Sequence, residues 1–124
     1  TIVQYKLPIK IFIINNQWMG MVRQWQELIH GSRYSESYTE SLPDFVKLAE
    51  SFGIVGMRAN KLNDLEPLIE DMLALRGPVI ADICVEKEEN CFPMIPSGSA
   101  HYDMILSKED EKNKKVSQKG LSLV

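Results

Sequence analysis

The spacing of apolar residues changes several times along the chain, and each change predicts a new element. Residues 9–14, "IKIFII", are rich in β-branched and aromatic side chains, follow Pro8 and precede two asparagines, which predicts a strand. Only Lys10 interrupts this apolar run, so we expect both faces of the strand to be covered, as in a parallel sheet. Two further apolar runs, residues 54–58 and 79–85, predict additional short strands.

A helical period replaces the strand pattern from Gly20 to Ile29, and Gly31 follows as a stop signal. The apolar residues at helical spacing are Met21, Val22, Trp25, Leu28 and Ile29. A stripe of this kind is more often core than site, so the pattern by itself predicts that Met21 and Trp25 are buried. Residues 30–40 are polar and rich in turn formers, which predicts a loop.

The segment "SLPDFVKLAESFG" carries signals for both ends of a second helix. Ser41 and Asp44 have the spacing of a capping box, Pro43 falls in the first turn, and Gly53 is placed for the C-cap. Its predicted buried stripe consists of Phe45, Leu48, Ala49 and Phe52.

A third helix is predicted between residues 63 and 76. Asn63 or Asp64 serves as its cap, and Pro67 is tolerated in the first turn if Asp64 is the cap. Gly77-Pro78 ends it. The predicted apolar face consists of Leu65, Leu68, Ile69, Met72 and Leu75.

The order strand, helix, helix, strand, helix, strand predicts an α/β chain with a mainly parallel sheet, flanking helices and right-handed crossovers. Beyond Val85 the sequence is loop-like through "PMIPSG", and from Ser107 it becomes a charged tail that we expect to be frayed. We therefore divide the chain into a structured portion, residues 1–106, and a tail, residues 107–124.

Composition excludes several classes of protein. Hydrophobic residues make up 44% of the chain and charged residues 25%, which is ordinary for a soluble globular domain. The net charge is −3, and the basic run Lys112 to Lys115 follows acidic residues, so we expect no nucleic-acid partner. No apolar run approaches the roughly 20 residues of a membrane span. Cys84 and Cys91 predict two free thiols in a reducing compartment.

The strongest local candidate for a site is the pair Asn15-Asn16. Ligands of open parallel sheets bind at the carboxyl ends of strands, and the helix start near Gly20 adds free N–H groups. Amide oxygens and backbone donors together suit a phosphate bridged by a hard cation such as Mg²⁺. The alternative is a plain strand-to-helix turn, where asparagine tolerates unusual dihedral angles.

Other polar residues carry weaker signals. His30 and His101 have no second ligand at metal-like spacing, so we expect both to be solvent-exposed. Asp82 and Glu86 are expected to be solvated groups at the ends of the last strand. Residues 97–99, "SGS", fit either a phosphate-binding nest or an ordinary turn.

Two long stretches, "IFIINNQWMGMVRQWQELIHGSRYSES" and "GPVIADICVEKEENCFPMIPSG", closely resemble the large catalytic subunit of the acetolactate (acetohydroxyacid) synthases. These are thiamine-diphosphate enzymes of branched-chain amino-acid biosynthesis. The likeness covers most of residues 1–106, and "GMVRQWQ" together with "PMIPSG" is specific to the family. It implies an incomplete thiamine-diphosphate-binding domain, Rossmann-like and three-layered, of which this chain is the C-terminal portion.

The resemblance also implies site residues. The family's cofactor motif begins with Gly-Asp-Gly and closes with Asn-Asn, which gives the Asn16 side chain and the Trp18 carbonyl the role of Mg²⁺ ligands. The backbone groups implied to contact the diphosphate belong to Met19, Gly20 and Met21. The residues implied to line the substrate channel or to contact herbicide inhibitors are Met21, Val22, Trp25 and Ser97.

One departure from the family is important. The Gly-Asp-Gly element should precede the asparagines by roughly two dozen residues, but Asn15 is only the fifteenth residue. We therefore expect the aspartate ligand, the glutamate that activates the cofactor and the FAD-binding domain to lie outside this chain, which leaves it no catalytic residue. As an isolated chain it is expected to be inactive, to bind thiamine diphosphate poorly and to self-associate.

For the intact enzyme, the resemblance implies decarboxylating condensation of two pyruvates, or of pyruvate with 2-ketobutyrate. It also implies FAD, a homo-oligomer, a possible small regulatory subunit and a cytoplasmic location, or a plastid one in a plant or alga. Two alternatives remain open: a non-enzymatic α/β binding or assembly module, and another thiamine-diphosphate decarboxylase or oxidase. The coding sequence upstream of Thr1 would distinguish a synthase from a module.

Overall fold

The computed structural model describes residues 1–108 and residue 110, and its elements follow the predicted order. The strands are β1 (Lys10–Asn15), β2 (Val55–Ala59) and β3 (Val79–Cys84), and the helices are α1 (Gly20–Leu28), α2 (Phe45–Ser51) and α3 (Leu62–Ala74). A short 3-10 helix covers His101–Asp103. The predicted charged tail, residues 107–124, lies almost wholly outside the described residues.

The chain divides into two compact units. The first, here called the sheet unit, comprises residues 1–17 and 40–87, and it contains all three strands, α2 and α3. The second, here called the α1 unit, comprises residues 18–39 and the described part of 88–124. None of the helices in the described part of the chain has the length and apolar character that crossing a membrane requires.

The sheet unit is a three-stranded, fully parallel sheet with the order β1-β3-β2. Side chains alternate between its faces. One face carries Gly56 and Arg58 toward α2, and the other carries Met57 and Ala59 toward α3. Helices on both faces of a parallel sheet confirm the predicted three-layer α/β class.

The core of the sheet unit lies between α3 and the sheet. Its buried residues are Ala59, Leu68, Met72, Val79, Ala81 and Ile83. Leu68 and Met72 were predicted on the apolar face of α3, but Leu75 of the same face is 38% exposed. The chain turns away there, because Leu75 is already the extended C-cap of the helix.

The prediction that β1 is covered on both faces is wrong for this chain. Phe12 and Ile14 are 42% and 65% exposed. In this sheet β1 is an edge strand, and α3 packs over β2 and β3 instead. A run of apolar residues indicates that a strand can be buried. The part that is buried depends on where the neighbouring helix packs.

The start of α2 differs from the predicted capping box. Asp44 is the N-cap, and its carboxylate accepts hydrogen bonds from the N–H groups of Val46 (3.1 Å) and Lys47 (3.4 Å). Ser41 therefore lies outside the helix, and Pro43 precedes the cap. Gly53 follows the helix with φ +73°, and its N–H donates to Glu50 O at 2.8 Å, as expected for a glycine at the C-terminal end.

The predicted buried stripe of α2 reduces to a single residue. Ala49 is fully buried, Phe45 is half-buried, and Leu48 and Phe52 are exposed. The cause is the close approach of the helix to Gly56, whose position lies against the backbone of Val46. At such a separation a small side chain makes the contact, and the larger ones project past the sheet.

Helix α3 begins earlier than predicted. Its N-cap is Lys61, so Asn63 and Asp64 already lie in the first turn. Asp64 still favours the helix start, because a carboxylate there interacts well with the helix dipole. Pro67 falls in the second turn, where the missing N–H leaves the Asn63 carbonyl without its usual helical partner.

In the α1 unit, helix α1 buries its polar face. Arg23 and Gln24 are only 4% and 1% exposed, whereas the predicted core residues Met21 and Trp25 are 56% and 43% exposed. The core-stripe interpretation is therefore wrong for these residues. The unit's small apolar core instead uses the C-terminal end of the helix, and its buried members are Leu28, Met94 and Ile105.

Candidate functional site

The turn after β1 is organised by Asn15. Its carbonyl accepts the N–H of Val85 at 3.0 Å, and its side-chain Oδ1 accepts the N–H of Gln17, also at 3.0 Å. Asn16, between them, is half-buried. The positive φ expected for an asparagine occurs instead at Gln17, at +60°. A residue in that conformation needs support from its surroundings, and the Asn15 side chain provides it.

Asp82 is not the solvated end-of-strand group that the sequence predicted. It is 2% exposed in the central strand, and its Oδ1 accepts from Asn15 Nδ2 at 2.9 Å. Its Oδ2 accepts from Arg58 Nε, also at 2.9 Å. The strand register places Arg58 directly opposite Asp82, which the sequence could not reveal. Glu86 is exposed, as predicted.

Arg58 connects Asp82 to the cap of α2. Its Nη2 contacts Asp44 Oδ1 at 2.7 Å. The hydrogen bond with Asp82 raises the pKa of Arg58 above its ordinary value. Desolvation would lower this pKa, but the contact with Asp44 also raises it. Desolvation alone would raise the pKa of Asp44, but the Arg58 and backbone hydrogen bonds outweigh it and lower that pKa. The arginine and the capping carboxylate are therefore charged at neutral pH.

Cys84 offers a chemical probe of this charge network. Cys84 is exposed, but partial desolvation and then the negative charge of Asp82 raise the pKa of its thiol, while Arg58 opposes them. In a Cys91→Ser background, we expect Cys84 to be alkylated by iodoacetamide more slowly at pH 8 than an unperturbed thiol. Asp82→Asn should lower the thiol pKa and accelerate alkylation, because more thiolate forms.

The rate of Cys84 alkylation against pH, followed by mass spectrometry, checks this expectation. Asp44→Asn serves as the control, because it removes the other carboxylate that contacts Arg58. An Asp82→Asn profile that coincides with that of the parent would contradict it.

Helix α1 begins in a way that suits an anion. Met19 is its N-cap, no side chain caps the helix start, and the first turn contains no acidic residue. Met19 and Met21 are both exposed. Because the first N–H groups of a helix lack intrahelical partners and carry partial positive charge, this end favours a phosphate or carboxylate.

Trp18 lies in an aromatic cluster that the sequence did not predict. Its ring packs against Tyr34 (centroids 5.6 Å apart) and Tyr38 (5.1 Å), and the Arg23 guanidinium lies 5.4 Å from its centroid. Trp18 also pairs with Tyr38 in an isolated antiparallel bridge. The side chain at position 18 thus packs within the α1 unit.

The exposed apolar stripe of α1 lines an open cleft of about 670 Å³. The lining residues are Met21, Val22, Trp25, Gln26, His30, Arg33, Tyr34 and Ser35. Three of the four residues that the resemblance assigns to the substrate channel line this cleft. Ser97 is not among its lining residues. His30 also lines this cleft, and it is half-buried rather than solvent-exposed.

Ser97 lies in a tight turn. Ser99 N–H donates to the Pro96 carbonyl at 3.0 Å, and Gly98 adopts φ +80°, which is the third-position geometry of a type II turn. This supports the ordinary-turn interpretation of residues 97–99. The 3-10 helix that follows leaves His101 exposed, as predicted.

The buried face of α1 holds the segment before this turn. Gln24 Nε2 donates to the Cys91 carbonyl at 3.0 Å, and its Oε1 accepts the Cys91 N–H at 2.6 Å. Arg23 Nη1 donates to Asn90 Oδ1 at 3.0 Å and to the Glu88 carbonyl at 3.2 Å. The only available sequence signal was the pair of polar residues opposite the apolar stripe.

The oxygen groups at the Asn-Asn turn match the preference of Mg²⁺ for hard donors, since amide and carbonyl oxygens are both suitable ligands. The uncapped start of α1 matches a diphosphate. Within residues 1–108 and 110, no three His, Cys, Asp or Glu side chains converge as a metal-binding group.

Comparison with known proteins defines the class. Residues 1–83 match the family described as thiamine pyrophosphate enzyme, C-terminal TPP binding domain, and the chain belongs to this family. The fold agrees with the thiamine diphosphate-dependent 4-hydroxybenzoylformate decarboxylase of Rhodococcus jostii RHA1, at TM-score 0.63 and 26% identity over 71% of this chain and 17% of that one.

Its sequence relatives are more specific. The chain is 51% identical over 106 residues to the acetolactate synthase large subunit of Porphyra purpurea, covering 85% of this chain and 18% of that protein. It is 40% identical over 113 residues to acetolactate synthase isozyme 3 large subunit of Escherichia coli (strain K12), covering 89% and 20%. The chain thus spans about a fifth of the length of these relatives. The family resemblance stated from the motifs is confirmed.

Proposed function

We propose that this chain is the part of an acetolactate synthase that supplies the closing half of the metal-diphosphate anchor and one wall of the substrate channel. The observation that carries the proposal is the Asn15-anchored turn, followed in sequence by the uncapped start of α1. Relatives that are 40–51% identical and named acetolactate synthases support the choice of enzyme. The competing binding-module interpretation has no comparable observation in its favour.

In this proposal the Asn16 side-chain oxygen and the Trp18 carbonyl hold Mg²⁺. The backbone N–H groups of Gly20 and Met21 hold the diphosphate, beside the N–H of Met19, which donates to the Ser37 carbonyl at 2.8 Å. Bound thiamine diphosphate supplies the nucleophilic carbon and the electron sink for decarboxylation. The chain's own contribution is to fix the position of the cofactor's charged end. The aspartate ligand and the activating glutamate are proposed to come from elsewhere in the intact enzyme.

The channel wall consists of Met21, Val22, Trp25 and Ser97. The first three present apolar surface in the cleft, which suits the methyl and ethyl groups of pyruvate and 2-ketobutyrate. Transfer of the two-carbon unit to a second 2-keto acid is the proposed reaction. FAD, a homo-oligomeric assembly, a small regulatory subunit and a cytoplasmic or plastid location belong to the same proposal for the intact enzyme.

Titration of the isotope-labelled chain with Mg²⁺ and thiamine diphosphate, followed by two-dimensional NMR, tests the metal role. NMR detects millimolar binding, which is the range expected for half of an anchor. We expect the Asn16 side-chain amide and the amides of Met19 to Met21 to shift only when both ligands are present. Asn16→Ala should weaken this response about tenfold or more, because a direct ligand is removed.

Asn60 provides the matched control, since it is an exposed asparagine that directly follows the parallel strand β2. Asn60→Ala should leave the titration unchanged. A wild-type chain without shifts at Asn16, or an Asn16→Ala variant that responds like wild type, would overturn the proposed ligand role.

A further inference from the structure

Asp82 accepts a hydrogen bond from the Asn15 side chain, and the proposed role of Asn16 as a metal ligand does not by itself explain this contact. We propose that Asp82 is a positioning residue: through Asn15, it sets the backbone of the turn that presents Asn16 to the metal. This inference rests on the proposed function for its ligand, but its structural part concerns Asn15, Gln17 and Asp82 alone. None of these three is a ligand in the proposal above.

The first step is the orientation of the Asn15 amide. A side-chain amide has one donating and one accepting end, and either can face a given neighbour. An ionised carboxylate only accepts, so the Asp82 Oδ1 contact at 2.9 Å requires the donating Nδ2 end. The accepting Oδ1 must then face the Gln17 N–H, as it does at 3.0 Å. The charge of Asp82 thereby determines which end of the amide meets the turn.

The second step is the strain in the turn. Gln17 has φ +60°, a conformation that is uncommon for residues other than glycine and that costs energy. The hydrogen bond from its N–H to Asn15 Oδ1 offsets part of this cost. If the amide reversed, two donors would face each other, and Gln17 would lose this hydrogen bond. Asn16 lies between the two joined residues, so its backbone depends on the same contact.

The third step is the anchoring of Asp82 itself. Its second oxygen accepts from Arg58 Nε at 2.9 Å, and the strand register keeps the two residues opposite each other. The side chain is 3% exposed, so its carboxylate cannot turn toward water without breaking both contacts. The carboxylate is therefore held in place by Arg58 while it fixes the orientation of the Asn15 amide.

Two isosteric substitutions separate positioning from a general effect of charge. Asp82→Asn removes the acceptor-only character next to Asn15, whereas Asp44→Asn removes the carboxylate at the other end of Arg58 and does not touch the turn. Asn15→Ala is a further variant, which removes the side chain that supports the turn. It leaves the Asp82 and Arg58 pair intact, so it tests the turn even if Asp82→Asn fails to fold.

Hydrogen exchange of the Gln17 amide in the full chain is the primary measurement, and the Mg²⁺ and thiamine diphosphate titration is the second. We expect Asp82→Asn and Asn15→Ala to accelerate Gln17 exchange about tenfold, which corresponds to the loss of roughly one net hydrogen bond. The Mg²⁺ response should weaken about tenfold, as is typical for residues that orient a metal ligand. Asp44→Asn should change neither. Exchange of the Ala81 amide, in the central strand, checks that the sheet remains folded.

The outcomes distinguish this inference from the proposed function. If Asn16→Ala abolishes the Mg²⁺ response but Asp82→Asn and Asn15→Ala leave it intact, the positioning role is overturned and the ligand role stands. Unchanged Gln17 exchange in both variants overturns it as well. If the wild-type chain shows no Mg²⁺ response, the proposed ligand role fails. Faster Gln17 exchange in Asp82→Asn and Asn15→Ala would then still support the structural part of the inference, that Asp82 sets the turn through Asn15.

Discussion

Replacing Arg23 by alanine is expected to lower the free energy of unfolding of the α1 unit by about 3 kcal/mol, the lower end of the range for breaking a buried ion pair. Arg23 Nη2 contacts Glu27 at 2.6 Å, with side-chain exposures of 5% and 19%. Its loss removes the donor to Asn90 Oδ1 and to the Glu88 carbonyl. The Glu27 carboxylate loses its ion pair and keeps the hydrogen bond from the Tyr34 hydroxyl at 3.3 Å. The Trp18 and Tyr34 rings also lose a guanidinium at 5.4 and 5.5 Å.

The expected decrease in the free energy of unfolding for Arg23→Ala stays below the upper end of the range for buried ion pairs for two reasons. Glu27 retains access to water, and Arg23 Nε has no hydrogen-bond partner among the residues that the structure describes. Arg23→Lys should recover only part of the loss, because an ammonium cannot reproduce the planar fork that contacts several acceptors at once.

Urea unfolding followed by tryptophan fluorescence measures this effect selectively. The chain has two tryptophans, Trp18 and Trp25, and both belong to the α1 unit. Arg33→Ala is the control, since Arg33 is an exposed arginine of the same unit and should change the stability by no more than about 0.5 kcal/mol. A midpoint for Arg23→Ala equal to that of the control would show that the buried network contributes little.

In the sheet unit, Gly56→Ala is expected to cost about 2 kcal/mol, within the range for overpacking a tightly fitted contact. A Cβ at position 56 would lie 2.7 Å from the Val46 carbonyl oxygen and 2.8 Å from its Cα. These are backbone atoms, so no rotamer change relieves the clash and α2 must move. The Cβ of Ala49, at 3.1 Å, adds to the crowding.

Gly77→Ala is the matched control, because an added Cβ there meets no heavy atom within 4 Å. Its effect should be within about 0.5 kcal/mol. Circular dichroism in urea gives the stabilities, and hydrogen exchange in peptides from α2 and β2 locates the change. Equal stabilities for the two alanine variants would refute the close approach of helix and strand.

The two units have different relations to the proposed function. The sheet unit holds the Asn-Asn turn through Asn15 and Asp82, and the α1 unit carries the helix start and the apolar cleft. Fixed polar contacts suit the first task, because a metal site tolerates little displacement of its ligands. Exposed side chains suit the second, because a channel wall must remain accessible to substrate.

In α1 the helical periodicity of the apolar residues is predicted correctly, but their burial is not, because they line a cleft. Met21, Val22 and Trp25 have the helical spacing of a core stripe, but they line an open surface. Apolar side chains face substrates as well as cores, and periodicity does not distinguish the two. The motif "GMVRQWQ", through its family resemblance, predicts a channel-lining role for these residues that the spacing alone does not predict.

The sequence by itself determined the order of the elements, the parallel α/β class, the position of the Asn-Asn turn and the family. These follow from spacing, turn formers and motifs that act within a few residues of one another. Only the tertiary structure decided the rest, including the buried charge of Asp82, the buried face of α1 and the contact between α2 and Gly56. Arg58 and Asp82 are 24 residues apart, and Asn15 and Asp82 are 67 apart. Whether a polar residue is solvated or buried depends on partners at such distances along the chain, and local patterns do not contain them.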